Sequence, residues 1–578
     1  MKKALCIVLA LIMALSCFAI SVGAETSGDY EYSVKNGSVT ITKYKGSAST
    51  LSIPSKINSN NVTAIGEAAF SGCGSITSVV IPEGVTSIGY NAFKGCNSLA
   101  TVSIPSTVTS LGVTSYTSYG AFQNCSKLKT VTIALGTNEA KIGQYCFSGC
   151  GSLTSITIPG NYVSIGTNAF RGCSQLKSVT LKASTLKNYP TQTIDSGAFA
   201  DCTSMTSLSL PTTLVSIGEA AFSNCDSLTD AIIPEGVTSI AYNAFKGCDF
   251  LTTVSIPSTA TSIGVTSYTS YGAFQDCPKL KTVTFAQGKT DAKIGQYCFS
   301  GCSSLTSVTI PGNYVSIGTN AFRSCSQLKT VTLKKSTLYD YPVQKIESGA
   351  FAGCTSMTSL SLPTTLVSIG EAAFSDCDSL TDAIIPEGVT SIAYNAFKGC
   401  DALTTVSIPS TATSIGVTSY TSYGAFQDCS KLKTVIIAPG TKDVKIGQYC
   451  FSGCGSLTTA HIPTNVTAID NKAFSGCSNL TICNTTSNCY AKTYADANGI
   501  KFKICSGHSV QPSVTLGDVD NNGSINSSDA LLVLRCSVGQ ANLSAAQKTA
   551  ADVNKDSKVN SSDALMILQY SVGQIKNF

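Results

Sequence analysis

Along most of the chain the apolar positions keep one recurrent order. From Cys73 it reads C-x-x-I-x-x-V-x-I-P-x-x-V-x-x-I-x-x-x-A-F-x-x-C, with Ile76, Val79, Ile81, Val85, Ile88, Ala92, Phe93 and Cys96 at the apolar places. The V-x-I alternation predicts a short strand with two side chains turned inward and one outward. The proline after it ends the strand, because it has no N–H to give to a ladder. A unit of 23 residues is too short to bury its own apolar face. Stacking unit on unit does bury it, which is the logic of a solenoid.

The cysteines count the coils. One recurs at Cys73, Cys96, Cys125, Cys150, Cys173, Cys202 and Cys225, with gaps of 23, 29, 25, 23, 29 and 23, and the same six gaps then repeat. The phrase IPEGVTSIGYNAFKGC near residue 81 returns as IPEGVTSIAYNAFKGC near 233 and 385, so the short unit is nested in a 152-residue super-repeat. Equivalent cysteines on neighbouring coils would lie roughly 5 Å apart, within reach of a disulfide. Pairing would leave one of the 17 ladder cysteines over and put identical units in two environments. A free, buried ladder is therefore the expectation, with cysteine as a small apolar filler.

This repeat resembles the BspA-like leucine-rich repeats of bacterial and protist surface and secreted proteins. The phrase A-F-x-x-C-x-x-L-x-x-V-x-I-P carries the resemblance over about residues 51–478. It implies a mainly β solenoid, a right-handed coil stack with one parallel sheet, and a role in binding. Residues 25–50 read as a cap, with a hairpin turning at Asn36-Gly37. Residues 479–505 drop the repeat phrase and bring Cys483, Cys489 and Cys505 off the ladder register. They read as a closing cap, where any disulfide would be sought first.

The outward strand position runs from Val80 and Ser103 to Ile436 and His461 and is mostly Ser or Thr. That suits solubility and strand propensity; the sharper reading is a hydroxyl strip for a polymer. The longer coils carry GVTSYTSYGAF, which places Tyr116 and Tyr119, Tyr268 and Tyr271, and Tyr420 and Tyr423 at three equivalent stations. A second insertion holds Tyr189-Pro190 and Tyr341-Pro342. Inserted loops project from one side of a solenoid, so these tyrosines are candidate ligand contacts. The alternative is that each folds back over its own loop.

Composition changes the picture in three ways. Residues 1–24 have a positive head at Lys2 and Lys3, an apolar run and small residues at Val22-Gly23-Ala24, so a secretory signal cut before Glu25 is expected. A lipoprotein reading through Cys17 fits less well. No second long apolar run follows, so an exported, extracellular chain without a membrane span is expected. The net charge of +5, with only 12% charged residues, gives no basic face for nucleic acid. With two histidines, no tryptophan and no G-x-S-x-G or H-E-x-x-H pattern, no catalytic constellation is found and no enzyme is expected.

The end of the chain is different. After a linker at 506–516 come two twelve-residue segments, Asp518–Asp529 and Asp552–Asp563, each followed by an A-L-L/M-x-L helix pattern. A hard cation such as Ca²⁺ takes six or more oxygens, which a twelve-residue loop supplies from positions 1, 3, 5, 7, 9 and 12. In the first loop these are Asp518, Asp520, Asn522, the Ser524 carbonyl, Asn526 and Asp529. In the second they are Asp552, Asn554, Asp556, the Lys558 carbonyl, Asn560 and Asp563. Gly523 suits the sharp turn at position 6; Ser557 departs from it.

Two such loops, each followed by one helix and lacking the helix before it, resemble a type I dockerin over residues 517–578. The resemblance implies a small α-helical domain organised by two Ca²⁺ ions, and a cohesin module on a scaffoldin as partner. Its recognition positions fall on Ser527, Ser528, Leu534, Arg535, Ser561, Ser562, Leu568 and Gln569. The serine pairs match between halves, as two docking orientations require; Arg535 against Gln569 breaks the match. The expectation is a non-catalytic component of a cellulosome-like complex in polysaccharide degradation. Its solenoid binds a protein, a polysaccharide or a cell surface. A rigid spacer, or an adhesin unconnected with polysaccharide breakdown, remains the alternative.

Overall fold

The computed structural model describes residues 25–113, 119–187, 191–265, 271–335, 344–417, 423–505, 516–519, 525–539, 543 and 545–578. The expected signal, residues 1–24, lies outside them. Two compact units are present, Met1–Leu251 and Thr252–Phe578.

The first unit opens with the expected hairpin. Tyr30–Lys35 runs antiparallel to Ser38–Tyr44, and Asn36 and Gly37 take φ of 52° and 72°. Both central residues are left-handed, which matches the twist of the flanking strands. Ser38–Tyr44 then pairs in parallel with Asn60–Ile65, so the hairpin feeds directly into the coils. The V-x-I strands pair in parallel, as Ser78–Val80 does with Thr101–Ile104 and that strand with Thr130–Ile133. A second short strand in each coil makes its own parallel ladder, as Ser87–Ile88 does with Ser110–Leu111. The coil therefore has two hydrogen-bonded faces where one was expected, because the V-T-S-I segment is extended too. The second unit repeats the arrangement, for example in Ser307–Ile310 with Thr330–Leu333.

Inside the coils the recurring apolar residues are buried, Ile76, Val79, Val85, Phe93 and Cys96 among them. The phenylalanines of A-F form a stack that periodicity alone does not show. In the first unit it runs from Phe70 to Phe245 with ring centroids 4.7 to 5.4 Å apart and planes within 16°. In the second it runs from Phe274 to Phe474 at 5.1 to 5.4 Å. Such pairs add about 0.5–1.5 kcal/mol each beyond burial. Tyr44 of the hairpin covers Phe70 at 5.3 Å, and Tyr494 covers Phe474 at 6.1 Å.

Among the described residues the ladder cysteines form no disulfide. They do more than fill space: most of the thiols point at the phenylalanine carbonyl of the coil before, as Cys96 Sγ donates to Phe70 O and Cys125 Sγ to Phe93 O, both at 3.1 Å. Burial pushes Cys150, Cys202 and Cys354 up to about 12, so these thiols stay protonated donors. Cys146, Cys298 and Cys450 form a separate set, buried where other coils have the alanine of A-F. The residue before every ladder cysteine has positive φ, from Gly72 and Asn124 to Asp428 and Gly476. Only Gly, Asn, Asp or Ser occupies this place, as a left-handed turn demands.

The cap after the last coil is a strand, Thr481–Asn484, a helix, Tyr490–Ala497, and a final strand, Lys501–Ile504. The C-terminal module has helices Ser527–Ser537, Ala545–Ala551 and Ser561–Ser571. The short middle helix corrects the reading that neither loop is preceded by one. Its run of alanines has no apolar period to announce it. Val519, Ala530, Val533, Leu543, Ala550, Ala551, Val553, Ala564 and Ile567 form the module's core. Among the described residues no helix is long and apolar enough to cross a membrane.

Candidate functional site

The second acidic loop is described throughout. Asp552 accepts from the backbone N–H of Asp556 and of Ser557, each at 3.0 Å. Asn554 Oδ1 accepts from Asp556 N at 2.9 Å, and Asp556 Oδ1 from Lys558 N at 2.8 Å. Successive side-chain oxygens thus curl the backbone around themselves. Lys555 and Ser557 take φ of 60° and 66°, so the sixth position adopts the left-handed turn although it lacks glycine.

The loop closes on the next helix. Asn560 is the N-cap, its Oδ1 accepting from Ser562 N at 2.8 Å, and Asp563 completes a capping box. Asp563 is fully buried. Its Oδ1 accepts from Val553 N at 3.1 Å and its Oδ2 from Asn560 N at 3.0 Å. Among the described residues no ion pair reaches it. A buried carboxylate held only by backbone N–H groups beside further oxygens fits a hard divalent cation, whose charge offsets the burial. Asn560 spends one oxygen on the helix, and the ninth position of such loops commonly acts through water.

The first loop repeats the frame where it is described. Asp529 is fully buried, with Oδ1 accepting from Val519 N at 2.8 Å and Oδ2 from Asn526 N at 2.9 Å. Asn526 caps its helix through Ser528 N at 2.8 Å, and Asp518 is buried. Asp520, Asn522, Gly523 and Ser524 lie outside the described residues.

Each long helix turns its first turn and one stripe to solvent. Ser527, Ser528, Ser561 and Ser562 are exposed, as are Arg535, Leu534 and Leu568, while Gln569 is half-buried. The sequence reading missed the rest of the stripe: Leu531 and the C-cap Val538 of one helix, Leu565 and the C-cap Val572 of the other. Val538 and Val572 are 67% and 63% exposed, so the stripe ends in apolar side chains open to solvent. The three-, four-residue spacing of apolar side chains after each loop was the available signal.

On the solenoid, Tyr119, Tyr271 and Tyr423 are exposed to 40%, 41% and 41%. One face of Tyr119 packs on Tyr90 at 5.9 Å, with Lys94 Nζ 5.4 Å from its ring; Tyr423 packs on Tyr394 at 5.8 Å. Tyr119 and Tyr423 therefore lean on the preceding coil and still show a face to solvent. Tyr116, Tyr268 and Tyr420, with Tyr189-Pro190 and Tyr341-Pro342, lie outside the described residues.

Comparison with known proteins bears on both parts. The family model for the BspA type leucine rich repeat region matches six times, over residues 43–134, 115–191, 187–291, 266–341, 335–423 and 418–505. That for the dockerin type I domain matches residues 516–570. Among solved structures, a leucine-rich repeat protein from Bacteroides ovatus is 22% identical, covers 80% of this chain and 100% of its own, and has a TM-score of 0.49. A leucine rich cell surface protein from Faecalibacterium prausnitzii is 27% identical over 73% of this chain and 95% of its own, with a TM-score of 0.35. The Treponema pallidum leucine rich repeat protein is 28% identical over 36% of this chain and 90% of its own, with a TM-score of 0.30. No curated protein matches the chain.

Proposed function

The chain belongs to the BspA-type leucine-rich repeat family and ends in a type I dockerin domain, and from that premise we propose an exported, non-catalytic binding arm of a cellulosome-like complex. Both module families are non-catalytic; a dockerin binds calcium and implies a cohesin partner. In this reading residues 1–24 are removed on export, 25–50 and 479–505 cap the solenoid of 51–478, and 506–516 link it to the dockerin of 517–578.

Two Ca²⁺ ions supply the positive charge that offsets the inward-turned carboxylates of the two oxygen loops. Asp518, Asp520, Asn522, the Ser524 carbonyl and Asp529 hold one, with Asn526 acting through water. Asp552, Asn554, Asp556, the Lys558 carbonyl and Asp563 hold the other, with Asn560 in the corresponding place. Loop closure then fixes each helix N-terminus and the serines on it. The cohesin face is Ser527, Ser528, Leu534 and Arg535, or equally Ser561, Ser562, Leu568 and Gln569. Leu531 and Val538, or Leu565 and Val572, extend it. Because the apolar stripes match, the mismatch of Arg535 and Gln569 sits at the rim of two otherwise equivalent faces.

The observation that carries the reading is the buried Asp563 carboxylate, held by backbone N–H groups alone and followed by an exposed apolar stripe. The solenoid presents Tyr119, Tyr271 and Tyr423 as repeated contacts, so it binds an extended protein or polysaccharide through several weak stations. Titration of the chain with a cohesin, with Ca²⁺ and after chelation, tests the anchor: binding that survives chelation defeats it. A panel of polysaccharides and cell-wall fractions tests the solenoid, and retention of none makes it a spacer. Hydrolysis of any plant polymer would refute the non-catalytic role.

A further inference from the structure

The final coil carries a cluster of metal-ligand side chains that no other coil shows among the described residues. Three parallel strands meet there: Thr459–His461, Thr481–Asn484 and Lys501–Ile504. His461 is the register partner of Cys483, and Cys483 of Lys503. Register partners on neighbouring strands face the same side of a sheet, so all three project together. Cys505 follows the last strand, its N–H donating to Asn484 O at 2.8 Å. A ring nitrogen of His461 and the sulfurs of Cys483 and Cys505 lie within 4.8 Å of one another.

The chemistry of this trio differs from that of the ladder. Most ladder thiols donate to a phenylalanine carbonyl at 3.1 to 3.5 Å. The Cys505 thiol instead lies beside the Cys483 thiol, with a long contact to Lys503 O at 3.8 Å. The strand position filled by His461 and Cys483 is Ile384, Ser407 and Ile436 in the three preceding strands of this sheet, none of them a metal ligand. Cys483 is buried, whereas His461 and Cys505 are partly exposed beside a shallow pocket of about 90 Å³ lined by Ile436, Pro439 and Pro463. An ion can therefore enter, and a fourth position stays open to water.

We propose that His461, Cys483 and Cys505 form a site for one Zn²⁺ ion, which staples the last two strands of the cap to the coil before them. Two sulfurs and an imidazole nitrogen are the donor set that suits this borderline-soft ion. Zn–S of about 2.3 Å and Zn–N of about 2.0–2.1 Å draw the three ligands together from the separation they have here, a movement that the partly exposed Cys505 can make. A thiol gives up its proton on becoming a zinc ligand, so binding releases protons to solvent and tightens as the pH rises. A staple here also protects the open edge of the sheet, where unpaired backbone groups otherwise invite another strand. This site is independent of the dockerin loops.

The test uses the full chain, reduced, with Ca²⁺ saturating the hard oxygen loops. Titration with Co²⁺ is expected to give tetrahedral d–d bands and a thiolate-to-cobalt charge-transfer band that saturate at one equivalent and vanish on adding Zn²⁺. Cys483→Ser and Cys505→Ser are expected to remove the charge-transfer intensity stepwise. His461→Ala is expected to weaken binding by more than the ~10–100-fold of a change outside the ligand set. The wild-type spectrum stands alone if a variant fails to fold. Absence of the charge-transfer band overturns the proposal, as does its persistence in the double serine variant. So does a Cys483–Cys505 disulfide, found by mass spectrometry, that forms at the same rate with Zn²⁺ present.

Discussion

The solenoid and the C-terminal module solve the same problem, a short unit with too little core, in opposite ways. A coil has Phe, Cys and a few aliphatics inside and borrows the rest of its core from its neighbours. Its stability is a sum of neighbour contacts. The module has two loop-helix halves around nine small buried residues and also buries Asp529 and Asp563. Buried carboxylates are costly unless their charge is offset. Repetition lets the first region hold its coils by packing, and charge makes the second depend on a bound cation.

Removing that charge balance gives the widest separation. Chelation, or Asp563→Ala, is expected to unfold the module and to lower cohesin affinity at least about 100-fold, in line with the ~3–5 kcal/mol lost when a buried charged site is broken. The β signal of the coils should stay, as circular dichroism would show; if both regions melt together, the contrast is wrong.

Alkali should act the other way round. Thiols at Cys150, Cys202 and Cys354 stand at about 12 in the folded state against an ordinary 9.0. The folded chain thus keeps protons that the unfolded chain releases. The stability they contribute is complete below pH 9 and is lost as the pH climbs toward 12, by up to about 1.4 kcal/mol per pH unit for each thiol. Urea melts of the coils between these limits should show a falling midpoint, and alkylation of the ladder thiols should require unfolding.

Smaller effects sharpen the comparison. Phe222→Leu keeps most of the apolar volume but ends two ring stacks, at 5.4 and 5.1 Å. It is expected to cost about 1–3 kcal/mol, with loss of hydrogen-exchange protection confined to the adjacent coils and cohesin binding unchanged. Leu534→Ala alone should halve the cohesin association constant, about 0.4 kcal/mol, because the Leu568 face remains. Leu534→Ala with Leu568→Ala should lose far more. A single variant as weak as the double one would mean a single docking face.

The sequence reads well where spacing does the work. The coil period, the hairpin at Asn36-Gly37 and the turn of the second oxygen loop stand where their residues indicated. Spacing shows which residues share a level, and not how they touch. The face-to-face stack of Phe70 to Phe245 and the thiol bonds to phenylalanine carbonyls therefore came only with structure. The left-handed residue before each ladder cysteine was legible in its restriction to Gly, Asn, Asp and Ser, a signal hidden by the stronger apolar pattern. Helix Ala545–Ala551 is too short and too uniform to show a period. His461, Cys483 and Cys505 are brought together by three strands from separate turns of the chain, which no local motif encodes.

The aromatic stack carries one more consequence. Within each unit a ring stacks on the ring before and the ring after; Tyr44 closes the first unit's stack at Phe70, and Tyr494 the second unit's at Phe474. Nothing in such an arrangement measures total length. A lineage could lengthen or shorten this protein by recombining whole 152-residue blocks, leaving both stoppers intact, so reach becomes a trait adjustable by gene duplication without inventing new chemistry.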